Sequence, residues 1–252
     1  MNVSDRVALV TGSGRGIGRG IALVLAENGA DVVVSDINLS DAQLVAKEIS
    51  GLGRKSTAVY VNVMDQKSID RMVTEVTDQF GKIDILVNNA GVIAAAGWET
   101  RNTSTEDDWD LTYEVNVKGV VRVTEAVTPR MKERRYGKIV NIASVSGRTG
   151  SLTSMPYSAS KAAVINLTQT TALVLAPFNI NVNTICPGIL RTEMWNRIAT
   201  RWSIDPSKSE GQTPSEIIDR TVNQRTPLGR SQTPKDIGNL ATFLASDKAH
   251  NI

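Results

Sequence analysis

Short apolar runs rich in β-branched residues alternate along this chain with longer stretches of mixed polarity. Residues 7–11 (VALVT), 31–36, 57–61, 83–88, 138–143 and 179–186 read as strands, and several are apolar nearly throughout, as VALV and ILV show. A strand that buries one face alternates apolar with polar; a run without that alternation is covered on both faces. Segments 16–28, 41–52, 66–80, 105–132 and 155–176 carry helical patterns, and Gly29 falls where the first helix should stop. This rhythm predicts an α/β fold: a doubly wound parallel sheet with helices on both faces. No linker, repeat or low-complexity segment interrupts it, so 1–252 is expected to be a single domain. Residues 189–233 depart from the pattern, mixing Trp195, Trp202, Pro206, Gly211 and Pro214 with charges. An excursion of that length is expected to be a substrate-contacting lid.

Composition narrows the functional classes. A chain of 252 residues, 41% hydrophobic, can bury one sizeable core. The formal net charge is only +2 with both signs interspersed, which argues against nucleic acid or an anionic membrane as partner. One cysteine, Cys186, cannot form an internal disulfide, and no apolar run approaches the roughly 20 residues of a membrane span. The N-terminus enters a strand directly, without a charged leader. A cytoplasmic protein is expected. With a single histidine, His250, acid/base chemistry near neutral pH falls to other side chains, and no metal site is expected.

The stretch TGSGRGIG, residues 11–18, follows the first strand and opens the first helix. In that context a glycine-rich turn binds dinucleotides: Gly12 permits the tight turn, Gly16 clears the phosphate approach, and Gly18 lets helix and sheet pack closely. The helix N-terminus offers free N–H groups to a pyrophosphate. Asp36, at the end of the second strand, can accept the ribose hydroxyls of NAD and would repel the 2′-phosphate of NADP. Arg15, inside the turn, is the dissenting residue because it could pair with a phosphate. The expected cofactor is NAD, with NADP the lesser candidate.

Tyr157 and Lys161 stand four positions apart in MPYSASKAAV, on one face of the helix that segment predicts. A free tyrosine, with a pKa of about 10, is a poor base near neutrality, and a nearby ammonium should lower that value. Together with TG-x-x-x-G-x-G at 11–18, NNAG at 88–91, Asn116 in YEVNVKG, Ser144 and Pro187–Gly188 with Thr192, this pair makes the chain resemble the short-chain dehydrogenase/reductases over most of its length. The resemblance implies a Rossmann domain. It also implies a hydride transfer between a nicotinamide cofactor and a secondary alcohol or ketone. Tyr157 would exchange the proton and Ser144 would hydrogen-bond the substrate oxygen. Lys161 would hold the nicotinamide ribose as well as tune Tyr157, and Asn116 would hold a water in a proton relay. Implied cofactor contacts are Gly12, Ser13, Arg15, Gly16, Ile17, Gly18, Asp36, Ile37, Asn62, Val63, Asn89, Ala90, Gly91, Tyr157, Lys161, Pro187, Gly188, Ile189 and Thr192. Asn89 would also stabilise the sheet. Asn62 departs from the family, where many relatives carry Asp. The C-terminal region resembles the family's final helix, after which relatives continue into a last strand.

Pocket candidates are Ile93 to Ala96, Ser144, Ser146, Arg148, Leu152, Met194, Trp195 and Trp202, with Arg148 or Arg197 available to an anionic group. The run Ala94–Ala96 is expected to leave space. This mixture fits secondary alcohols, diols or polyols. The alternative is an NADPH-dependent 3-ketoacyl-carrier-protein reductase: Arg15, Arg134 and Arg135 favour it, whereas Asp36 and Pro177–Phe178 do not. A regulator that kept the fold without the chemistry would typically have lost Tyr157 or Lys161. Relatives of this family suggest a homotetramer or homodimer through the long helices carrying Asn116 and Tyr157.

Overall fold

A computed structural model describes residues 1–151 and 154–252, with Pro206 and Ser207 as backbone alone. Six parallel strands form its sheet: β1 (Val7–Thr11), β2 (Asp31–Asp36), β3 (Ser56–Tyr60), β4 (Ile85–Asn88), β5 (Gly137–Ile142) and β6 (Ile180–Ile185), in the order β3-β2-β1-β4-β5-β6. The central strands are apolar on both sides because both sides are covered. Ala8, Val10, Val32 and Val34 face one helical layer, and Val7, Leu9, Val33 and Leu86 face the other.

The helices are α1 (Gly16–Glu27), α2 (Leu39–Gly51), α3 (Gln66–Phe80), α4 (Glu106–Tyr113), α5 (Gly119–Arg134), α6 (Met155–Leu175), α7 (Glu193–Ile204), α8 (Pro206–Ser209), α9 (Pro214–Arg225) and α10 (Pro234–Ala245). Caps explain where they start and stop. Asn38 accepts the Asp41 N–H and so begins α2 before the apolar pattern does. Gly81, in the left-handed region at φ +77°, ends α3. Thr213 with Glu216 and Thr233 with Asp236 form capping boxes on α9 and α10.

One expectation changes and one is filled in. The helix expected over 105–132 is interrupted by a π-helical turn at Glu114–Lys118, which contains Asn116. The excursion 189–233 holds three helices, α7 to α9, around a small core of its own: Ile189, Ala199, Ile217, Ile218 and Val222. Apolar spacing alone does not reveal a π turn, since it inserts one residue without breaking the helix.

Candidate active site

Order β3-β2-β1-β4-β5-β6 puts the chain's change of direction between β1 and β4. Segments leaving those two strands turn to opposite faces and open a crevice at their C-terminal ends. Gly12 and Gly16 line it at φ +62° and +56°, backbone conformations that side chains resist. A Cβ on Gly12 would lie 2.7 Å from Ala90 Cα, and one on Gly18 would collide with the Gly12 carbonyl and the Asn89 amide. Asn89 locks this contact, its Nδ2 donating to the carbonyls of Thr11 (3.0 Å) and Gly12 (2.8 Å). The Thr11 hydroxyl accepts the N–H groups of Asn89 and Ala90.

Arg15, exposed at the N-cap of α1, gives no side-chain cap, and the first turn carries no acidic residue. The helix therefore presents uncapped N–H groups and an unopposed positive dipole end beside glycines, a fit for an anionic diphosphate. Ser13 turns its side chain inward. It is fully buried, its hydroxyl donates to Val10 O at 2.7 Å and accepts from Ser35 N–H, so the side chain braces β1 and β2 instead of facing the crevice. Ile17 packs into the core beneath α1.

At the end of β2, Asp36 Oδ2 accepts the Gly14 N–H at 2.9 Å and Oδ1 accepts the Asn38 N–H at 3.0 Å. Its carboxylate is thereby fixed beside the glycine turn, with exposed Ile37 next to it. Asn62, after β3, accepts the Met64 N–H, and Val63 is buried against Gly119.

Across the crevice, Ser144 follows β5 and caps a short turn by accepting the Ser146 N–H at 3.1 Å. Tyr157 and Lys161 lie on the first turns of α6 and are both buried. Lys161 Nζ donates to Ile142 O at 2.8 Å and sits 5.7 Å from the centre of the Tyr157 ring. Gly91 lies so close that a Cβ there would stand 3.4 Å from this nitrogen.

The expected lowering of the tyrosine pKa does not occur in this arrangement. Burial pushes the Tyr157 phenol up to about 12, with Ser144 pulling weakly the other way. Burial also brings Lys161 down to about 8. Removing a charge from water dominates here, and the lysine's hydrogen bond is made to the strand carbonyl.

Asn116 is wholly buried in the π turn. Its Nδ2 donates to Val92 O (2.9 Å) and Ser160 Oγ (3.0 Å), while Oδ1 accepts the Val92 N–H (2.8 Å). Both donors are thus occupied. The side chain clamps the segment after β4 to α6.

The segment Pro187–Thr192 closes the third side. Pro187 O accepts the Val145 N–H, Gly188 N–H donates to Gln232, Ile189 is buried in the core of α7–α9, and Thr192 caps α7 opposite Gly16.

Several expected pocket residues fall differently. Ile93 and Ala94 are buried and pack with Trp98 and Tyr157, joined by Met194 and Ile198 of α7, so they form an apolar wall, while Ala96 is exposed. Trp195 and Trp202 meet edge to face in the core of α7–α9. Arg197 is paired with Glu99 and reaches Ala95 O, which removes it as a free anion partner. Arg148 is exposed and shares a cleft with Cys186, Pro187 and Gln232, whose lining does not include Tyr157. Ser146 is half-buried beside Ser144, and Leu152 lies outside the described residues.

Sequence reading missed a buried network beside this wall. Asp108, fully buried, accepts from Ala95 N–H, Arg101 and Thr105 N–H, and the Arg201 guanidinium lies 4.2 Å over Trp98. Thr105 and Asp108 carried a capping signal, but nothing in the local pattern linked them to residues from α7.

The model of the family described as short chain dehydrogenase matches residues 6–202. The chain belongs to the short-chain dehydrogenase family. It is 40% identical to a galactitol 2-dehydrogenase of Agrobacterium fabrum over 98% of this chain and 92% of that protein. A 3-oxoacyl-[acyl-carrier-protein] reductase of Thermotoga maritima is 37% identical, over 99% and 94%. Among solved structures, an NAD+-bound xylitol dehydrogenase superposes with a TM-score of 0.91 at 31% identity, covering 100% and 96%. This short-chain dehydrogenase is an oxidoreductase acting on an alcohol or its ketone, in a family that binds nicotinamide cofactors. Among the described residues no helix is long and apolar enough to cross a membrane.

Proposed function

We propose that this protein is an NAD-dependent dehydrogenase of small secondary alcohols, of the diol or polyol kind. The observation that carries the cofactor reading is Asp36, whose carboxylate is fixed by Gly14 and Asn38 at the end of β2. A carboxylate held there accepts ribose hydroxyls and repels a 2′-phosphate. Gly12, Gly16, Gly18 and the N-terminus of α1 would take the diphosphate. Asn62 and Val63 would border the adenine, with Ala90 and Gly91 against its ribose. Lys161 would hold the nicotinamide ribose, and Pro187 to Thr192 the carboxamide. When bound, the cofactor supplies the hydride acceptor and donor.

The phenol of Tyr157, pushed up to about 12, is protonated at neutral pH and suited to give its proton to a carbonyl oxygen. In oxidation the phenolate takes the alcohol proton, so that direction is favoured by alkali. Ser144 would donate to the same oxygen. The wall of Ile93, Ala94, Met194 and Ile198 would receive the carbon skeleton, with α7 to α9 as its lid. The galactitol and xylitol dehydrogenases support the polyol assignment.

A second reading, an NADPH-dependent reductase of acyl groups on a carrier protein, is favoured by exposed Arg15 and by the Thermotoga relative. Against it, Arg134 is already paired with Asp84, whereas Arg135 bonds only the Pro177 carbonyl and keeps its charge at the surface. Exposed Leu173 and Val174 on α6 support a homotetramer or homodimer through that helix, which light scattering would test.

The deciding experiment follows absorbance of reduced nicotinamide with NAD or NADP against secondary alcohols, diols and polyols. Turnover with NAD and one such group is expected. Turnover with NADP alone would overturn the reading of Asp36.

A further inference from the structure

We infer that Gln232 is a positioning residue that fixes the segment Pro187–Thr192 against α1. The inference rests on the proposal that this segment holds the nicotinamide end of the cofactor. Gln232 grips the segment twice. Its Oε1 accepts the Gly188 N–H at 2.7 Å, and its own N–H donates to Ile189 O at 3.0 Å. Leu190 and Gln232 form an isolated parallel bridge at the same point.

What lies behind Gln232 gives the grip its consequence. The next residue, Thr233, caps α10 through its box with Asp236. Pro234 then packs so tightly on α1 that a Cβ on Gly20 would stand 2.8 Å from the Pro234 carbonyl carbon. A few residues earlier, the same α1 begins at the glycine turn. A continuous set of contacts therefore runs from the diphosphate end of the crevice through α1, Pro234 and Gln232 to Gly188. Thr192 faces Gly16 across the gap, its Cγ2 3.9 Å from where a Gly16 Cβ would stand. In this arrangement Gln232 sets the separation between the two cofactor-holding elements. Segments in irregular conformation need such tethers, because few regular backbone hydrogen bonds hold them.

Binding of NAD and of ADP-ribose, which lacks the nicotinamide, separates this role from a general effect on the fold. Calorimetry on Gln232→Leu is expected to show NAD affinity reduced about threefold to tenfold, the worth of one hydrogen bond, with ADP-ribose affinity unchanged. Amide exchange at Gly188 should speed up in the same variant without cofactor. Equal weakening of both ligands, or of neither, would overturn the inference. Thr192→Val is the control on the underlying reading. If it leaves the ratio of NAD to ADP-ribose affinity unchanged, the segment does not hold nicotinamide, and the failure lies there and not with Gln232. If it lowers that ratio while Gln232→Leu does not, only the Gln232 inference fails.

Discussion

The floor of the crevice and the helices α7 to α9 beside it are built by different means. On the floor, Asn116, Ser144, Tyr157 and Lys161 are buried, and each is held through or beside backbone groups of the sheet and α6. In the region of α7 to α9, α7 and α9 share a small core, Met194 and Ile198 pack on the apolar wall, and ion pairs lie toward the surface: Arg191 with Asp219, and Glu99 with Arg197. A group fixed by burial keeps its geometry and has its pKa moved by desolvation, as the values of about 12 for Tyr157 and about 8 for Lys161 show. An exposed ion pair such as Arg191 with Asp219 contributes little energy.

That contrast orders the expected effects. Tyr157→Phe removes the proton carrier while keeping the ring's packing, so turnover should fall by at least about 100-fold with NAD binding retained, measured by steady-state rates and calorimetry. Lys161→Met keeps the aliphatic stem without the ammonium. Its kcat should drop by about tenfold or more, and KM for NAD should rise, which separates it from Tyr157→Phe. Asp36→Ala leaves the floor untouched. Losing a charged hydrogen-bond partner, about 1.5–3 kcal/mol, should cut the preference for NAD over NADP by about ten- to a hundredfold in kcat/KM. An unchanged ratio would clear Asp36 of that role. Around α7 to α9, Glu99→Gln frees Arg197 and should shift the substrate KM by less than about fivefold with kcat nearly intact. Asp219→Asn, which breaks a pair exposed on both sides, should change neither activity nor Tm measurably. A large effect from either of these two variants would erase the contrast.

The sequence was most informative where burial is complete. Apolar runs at 7–11, 31–36 and 138–143 gave their strands to within a residue, and the paired faces of β1 and β2 explain why: both periodic sets are inside. Asn38 moved the start of α2 because a cap, not hydrophobicity, sets a helix end. The π turn around Asn116 left no trace in the pattern. Neither did the closeness of Glu99 to Arg197, or of Trp98 to Arg201, which join residues far apart in the chain. Motifs located Tyr157 and Lys161, but the direction of their pKa shifts followed from burial that spacing alone does not fix. Ser13 shows the converse: a motif position whose side chain turned inward to brace β1 and β2.

The most direct test of the central claim, that Tyr157 exchanges the proton, is the pH dependence of hydride transfer in single turnover. It would be followed in both directions for the wild type and for Tyr157→Phe. With the phenol raised to about 12, its protonated form predominates below that value and its phenolate grows as pH rises. Oxidation should therefore accelerate with increasing pH while reduction does not, and Tyr157→Phe should lose both the rate and the dependence. A Tyr157→Phe enzyme that kept the wild-type profile in either direction would contradict the account.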